Sequence, residues 1–139
     1  MKEFDCPRKL DLSAVLKGAA TAIVLGLVFA FVCGLIGFVV ILTTGISAEA
    51  ISSSILLAIL GFVVGFLPDL IGGYVTACDA GYAAVKHGLA TGVVLLICSA
   101  VFQLLFVDSP FTWLGGIYFL LVVPVTALGG FLVTKITWR

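Results

Sequence analysis

Residues 14–43 read AVLKGAATAIVLGLVFAFVCGLIGFVVILT, thirty positions interrupted by a single charge, Lys17. A hydrocarbon core about 30 Å thick is crossed by ~20 apolar residues in helical form, and a signal peptide carries an apolar stretch of only ~7–15. The run is therefore read as an uncleaved first membrane span. The rest of the chain agrees: 63% of its 139 residues are hydrophobic and 10% charged, against roughly 45–50% and about 25% in an ordinary soluble domain. A water-soluble fold would have too little polar surface to place outside.

Three further apolar runs follow, giving expected spans of about 13–43, 51–77, 86–107 and 113–135 in one transmembrane domain covering 1–139. Continuous runs without two-residue alternation point to helices, which satisfy their own backbone in lipid, and not to barrel strands. The expected fold is an all-α membrane protein of four transmembrane helices. The links at 44–50, 78–85 and 108–112 are short, the last broken by Ser109-Pro110, so sequential helices should be antiparallel neighbours.

Charge sets the expected orientation. Lys2, Arg8, Lys9 and Lys17 precede or open span one, Lys86 starts span three, and Lys135 and Arg139 close span four. All fall on one side of a four-span layout, while the loops opposite carry Glu49 and Asp108 but no Lys or Arg, so both termini are expected in the cytoplasm. Trp113, Tyr118 and Trp138, at or near the ends of span four, suit the headgroup layer. With no separate targeting segment, the expected location is a prokaryotic inner membrane.

The two halves of the chain also look alike. Gly18-Ala19-Ala20-Thr21-Ala22-Ile23-Val24-Leu25 matches Gly88-Leu89-Ala90-Thr91-Gly92-Val93-Val94-Leu95, and Ile71-Gly72-Gly73-Tyr74-Val75 matches Leu128-Gly129-Gly130-Phe131-Leu132, with Pro68 and Pro124 a few residues earlier. Two tandem helical hairpins, each with an even number of crossings, would be related by a pseudo-twofold axis along the membrane normal.

Small residues recur every fourth position: Gly18, Ala22, Gly26, Ala30 and Gly34 in span one, Gly61, Gly65, Gly73 and Ala77 around Asp69 in span two, and Ala84, Gly88 and Gly92 in span three. Such stripes, with Gly129 and Gly130 in span four, let helix backbones approach closely where no hydrophobic drive exists between helices in lipid. They predict packing faces, within the chain or in a homodimer.

Asp69 is the only carboxylate inside a span. Its cost there, ~2.5–3.5 kcal/mol when ionised at the centre, requires it to face protein or water. Its depth depends on where span two stops. A helix running to Ala77 buries it and suits proton or cation movement, with Thr126 and Thr91 as hydroxyl partners; a helix ending at Gly72-Gly73 leaves it near the interface. His87, after Lys86 at the entrance of span three, is expected as an interfacial hydrogen-bonder that meets Asp79. Gln103 is expected to join helices.

Other chemistry lacks its residues. Zero net charge argues against nucleic acid, and Cys6, Cys33, Cys78 and Cys98 lack C-x-x-C spacing, so no metal or cofactor is expected. With no Ser-His-Asp set, zinc motif, P-loop or dinucleotide fingerprint, the chain is not expected to be an enzyme.

Gly72-Gly73-Tyr74-Val75-Thr76-Ala77, a short polar loop and His87-Gly88-Leu89-Ala90-Thr91-Gly92, together with Lys17-Gly18 and Gly129-Gly130, resemble uncharacterised four-helix membrane proteins of bacteria and archaea. The resemblance implies the fold and no chemistry. The expected partners are the lipid bilayer and either further copies or a larger membrane complex. The expected role is a structural or accessory subunit, with a small oligomeric channel or proton- or cation-coupled transporter built on Asp69 as the alternative.

Overall fold

Asp11 starts the first helix by turning its carboxylate onto the backbone: its Oδ1 accepts from the amides of Ser13 at 3.0 Å and Ala14 at 3.3 Å, satisfying donors that the first turn leaves without partners. The computed structural model describes residues 9–47, 49, 55–106 and 113–136. They form four helices, α1 (Leu12–Thr44), α2 (Ile55–Ala80), α3 (Ala84–Phe106) and α4 (Trp113–Ile136). Each is long and apolar enough to cross a membrane. Ser109-Pro110 and the outermost cations Lys2, Arg8 and Arg139 lie outside the described residues.

Two glycines close helices in the left-handed conformation their lack of a side chain permits. Gly45, φ 67°, donates its amide to Ile41 O and ends α1; Gly81, φ 67°, donates to Ala77 O and ends α2. The helix thus passes through Gly72-Gly73 to Ala80, and the link to α3 shrinks to Gly81, Tyr82 and Ala83, the last at φ 45°. Residues 78–80, expected in a loop, stay helical because no breaker precedes Gly81.

Glycines set how the helices pack. A Cβ on Gly18 would strike Thr76 and the carbonyl of Gly72; one on Gly88 or Gly92 would strike Thr126; one on Gly73 would strike the Thr126 carbonyl, and one on Gly129 that of Leu70. These approaches make α1–α2 and α3–α4 antiparallel pairs whose second helices, α2 and α4, cross side by side. Around the bundle the order is α1, α2, α4, α3, with α2 also touching α3 across the middle, while α1 and α4 share no extensive contact.

The closely packed level lies toward the base, the end where α1 begins, α2 turns into α3 and α4 finishes. Away from it the helices part. No described side chain from 23 to 44 in α1, 61 to 67 in α2, 96 to 105 in α3 or 116 to 121 in α4 is buried. Gly26, Gly34, Gly61 and Gly65, expected as packing positions, meet nothing within 4 Å, and Ala30 is exposed. Among the described residues the stripe of α1 is engaged only as far as Ala22.

Candidate functional site

The parting helices leave a cleft of about 500 Å³ bounded by all four, and Asp69 lines it. From Asp69 to Ala80 α2 runs eleven residues, which at ~1.5 Å each sets the carboxylate about 16 Å above the base, the deeper of the two placements that the sequence left open. Asp69 follows Pro68, whose missing amide frees a carbonyl one turn back in the middle of α2. Only 5% of the residue is exposed.

Among the described residues one hydrogen bond holds it. The Tyr118 hydroxyl donates to Asp69 Oδ2 at 3.0 Å. The tyrosine ring is fixed in turn by Phe66, stacked at 5.3 Å between centroids and 16° between planes, which itself meets Phe62 edge-on at 4.9 Å. Ser99 borders the same cleft as Tyr118. Oδ1 of Asp69 has no hydrogen-bond partner among the described residues. Every wholly occluded side-chain nitrogen or oxygen among them does have one, so Oδ1 keeps an opening, and the cleft is what Asp69 borders. Among the described residues no Lys, Arg or His lines that cleft; its other polar side chains there are Ser99 and Gln103, the latter without a hydrogen bond.

The hydroxyls expected to serve Asp69 do other work. Thr91 Oγ1 lies 2.8 Å from Thr76 Oγ1, and their remaining acceptors are the carbonyls of His87 at 3.0 Å and Gly72 at 2.9 Å. Each hydroxyl has one hydrogen, so one threonine donates to the other while the second donates back along its own helix. Thr126 likewise donates to carbonyls of its own helix, Val122 and Val123, at 3.0 and 2.8 Å. Both are buried at the packed level beneath the cleft.

His87 is a buried hydrogen-bonder and does not meet Asp79. It is 1% exposed, its Nε2 accepting from the Asp11 amide at 3.0 Å and its Nδ1 lying 3.1 Å from the Ala83 carbonyl. Asp79 pairs with Lys17 at 2.9 Å instead. The reason is geometric: α2 stays helical to Ala80 and turns Asp79 toward α1, whereas His87, in the first turn of α3, points beneath the start of α1. Together with the Tyr82 hydroxyl, which donates to Lys9 O at 2.7 Å, these contacts clasp the chain's start to the α2–α3 link.

Tyr118 is the residue the sequence reading placed elsewhere, in the headgroup layer; a phenol near a span end carries that signal whether or not it turns inward. Trp138 and the side chain of Trp113 lie outside the described residues. Among the described residues no three His, Cys, Asp or Glu side chains gather as metal ligands would. The site can hold a proton or a cation at Asp69.

The chain was compared with family models, with curated proteins and with solved structures, and it matches none of them.

Proposed function

We propose that this chain is a multi-pass protein of the cell (inner) membrane, with both termini cytoplasmic, that works as a structural or assembly subunit by lending its glycine faces to neighbouring helices. The observation that carries the reading is the division of its glycines. At the base Gly18, Gly73, Gly88, Gly92, Gly129 and Gly130 each have backbone of this chain against them, while Gly26, Gly34, Gly61 and Gly65 meet nothing within 4 Å among the described residues. In lipid, small residues favour helix contact because smooth faces replace the missing hydrophobic drive. A smooth face that the described residues leave uncovered suits a partner, a second copy or a larger complex. The sequence likeness between the halves, and the α2–α4 crossing at Gly73 and Gly129, support a pseudo-twofold repeat of hairpins.

The test is the size of the detergent-solubilised protein by light scattering, with crosslinking in membranes. A defined complex is expected, lost on Gly26→Ile or Ala30→Ile while the monomer remains helical. A protein that stays monomeric in membranes, or a complex indifferent to both changes, overturns it.

A second reading is favoured by Asp69 itself: a carboxylate at mid-helix beside a cleft suits a small oligomeric channel or proton- or cation-coupled transporter. Proteoliposomes should then show a proton or cation flux that Asp69→Asn abolishes; an unchanged flux removes this mechanism.

A further inference from the structure

We propose that the cleft is a binding site for a monovalent organic cation, its charged head against the open oxygen of Asp69 and its apolar body along Leu27, Phe102 and Phe119.

The charge comes first. A carboxylate at this depth is expensive to ionise alone, so it takes up a proton or pairs with a cation. Among the described residues no Lys, Arg or His borders the cleft, and the single donor to Asp69 is the neutral Tyr118 hydroxyl. An anionic ligand would meet like charge with nothing to offset it. A small inorganic cation is also a poor fit, because hard ions such as Ca²⁺ take ~6–8 oxygen ligands, and this cleft presents one carboxylate, the Ser99 and Tyr118 hydroxyls and the Gln103 amide among mostly apolar walls.

The walls supply the rest. About 500 Å³ lies within the ~300–1,000 Å³ typical of small-molecule pockets, which are mainly apolar with a few fixed polar groups. Tyr118, Phe102 and Phe119 border it, and aromatic faces attract cations most strongly where water is excluded. A lipid chain would fill the volume but leave Oδ1 of Asp69 and the Gln103 amide unanswered. A ligand with a cationic head and a greasy body satisfies both. Binding does not require transport or a particular oligomer, but Gly26 and Gly65 border the same cleft, so a ligand there and a partner helix seated on those two glycines exclude one another.

The experiment is calorimetric titration of the full chain in nanodiscs with tetraphenylphosphonium, against triphenylphosphine oxide as a neutral body of similar bulk and against empty nanodiscs. Saturable binding of the cation at one site per chain is expected, at least about tenfold tighter than the neutral compound. Asp69→Asn should weaken cation binding roughly thirtyfold or more, the usual effect of removing one member of a buried charge pair, and Asp69→Glu should retain it. Equal affinity for the neutral compound, unsaturable uptake matching empty nanodiscs, or full affinity in a folded Asp69→Asn variant would each overturn the proposal. The first two are read on the unmodified protein, so they decide even if Asp69→Asn fails to fold.

Discussion

At the scale of single residues, His87 is fixed by three neighbours that use different parts of its ring. The Asp11 amide can only donate, so Nε2 must be the unprotonated nitrogen, and Nδ1–H donates to the Ala83 carbonyl. Tyr82 meets the ring edge-on at 5.1 Å. The neutral ring thereby satisfies the amide of the N-cap of α1 from another helix. His87→Ala should therefore leave a buried donor unanswered and a cavity beside it, destabilising the protein by about 2–4 kcal/mol. His87→Gln, whose side-chain oxygen can accept in place of Nε2, should lose about half as much. Unfolding midpoints in dodecylmaltoside titrated with dodecyl sulfate measure both, and equal stability of the alanine variant would contradict the assigned bonds. Asp69 could be singled out from the sequence because a carboxylate within an apolar run is expensive wherever it points. Its partner could not, since Tyr118 reaches it only through the relative rotation of α2 and α4 and the stack on Phe66. The pairing of His87 with Asp79 failed for the same reason: the hydrogen-bond partners of His87, at Asp11 and Ala83, are backbone groups that carry no side-chain signature.

The helices show which part of each small-residue stripe is engaged. Four-residue spacing marks out Gly18, Gly88 and Gly92, and each lies against a neighbouring backbone or threonine. It could not say how far along a helix contact persists, because that depends on the angle at which two helices diverge. The contrast gives a paired prediction. At Gly73 a Cβ would overlap the Thr126 backbone, which cannot move aside without shifting α4. Gly73→Ala should cost about 1–3 kcal/mol or more through overpacking. Gly65→Ala meets nothing within 4 Å, and, by removing backbone freedom inside a helix, should be neutral or stabilise by about 0.5–1 kcal/mol. The same detergent titration reads both, and a Gly73→Ala variant as stable as Gly65→Ala would mean that α2 and α4 do not cross there. Helix α1 adds a length argument: 33 residues at ~1.5 Å each make a rod of about 50 Å, longer than a ~30 Å hydrocarbon core, so it must tilt or extend beyond the membrane.

Over the whole molecule, the contacts that hold the start of the chain and the distribution of charge meet at the base. Lys9, Lys17, Lys86 and Lys135 all belong to that end, while Ile46 and Glu49 follow α1 at the other. Asp11 and Asp79 lie among the lysines, but orientation is set by Lys and Arg near span ends and little by carboxylates. The base should therefore face the cytoplasm. Single-cysteine variants test this in a chain whose other cysteines are replaced: Lys9→Cys and native Cys78 at the base, and Ile46→Cys after α1. Lys9 contributes its carbonyl to Tyr82, and Ile46 is exposed, so neither change removes a side-chain contact of the packed level. An impermeant maleimide applied to intact cells should label position 46 alone, and positions 9 and 78 only after permeabilisation. Labelling of 9 and 78 but not 46 would invert the molecule. Labelling of 9 and 46 together would mean that α1 does not cross at all, leaving the close approach of Gly18 to Thr76 to form in some other surrounding than a spanning bundle.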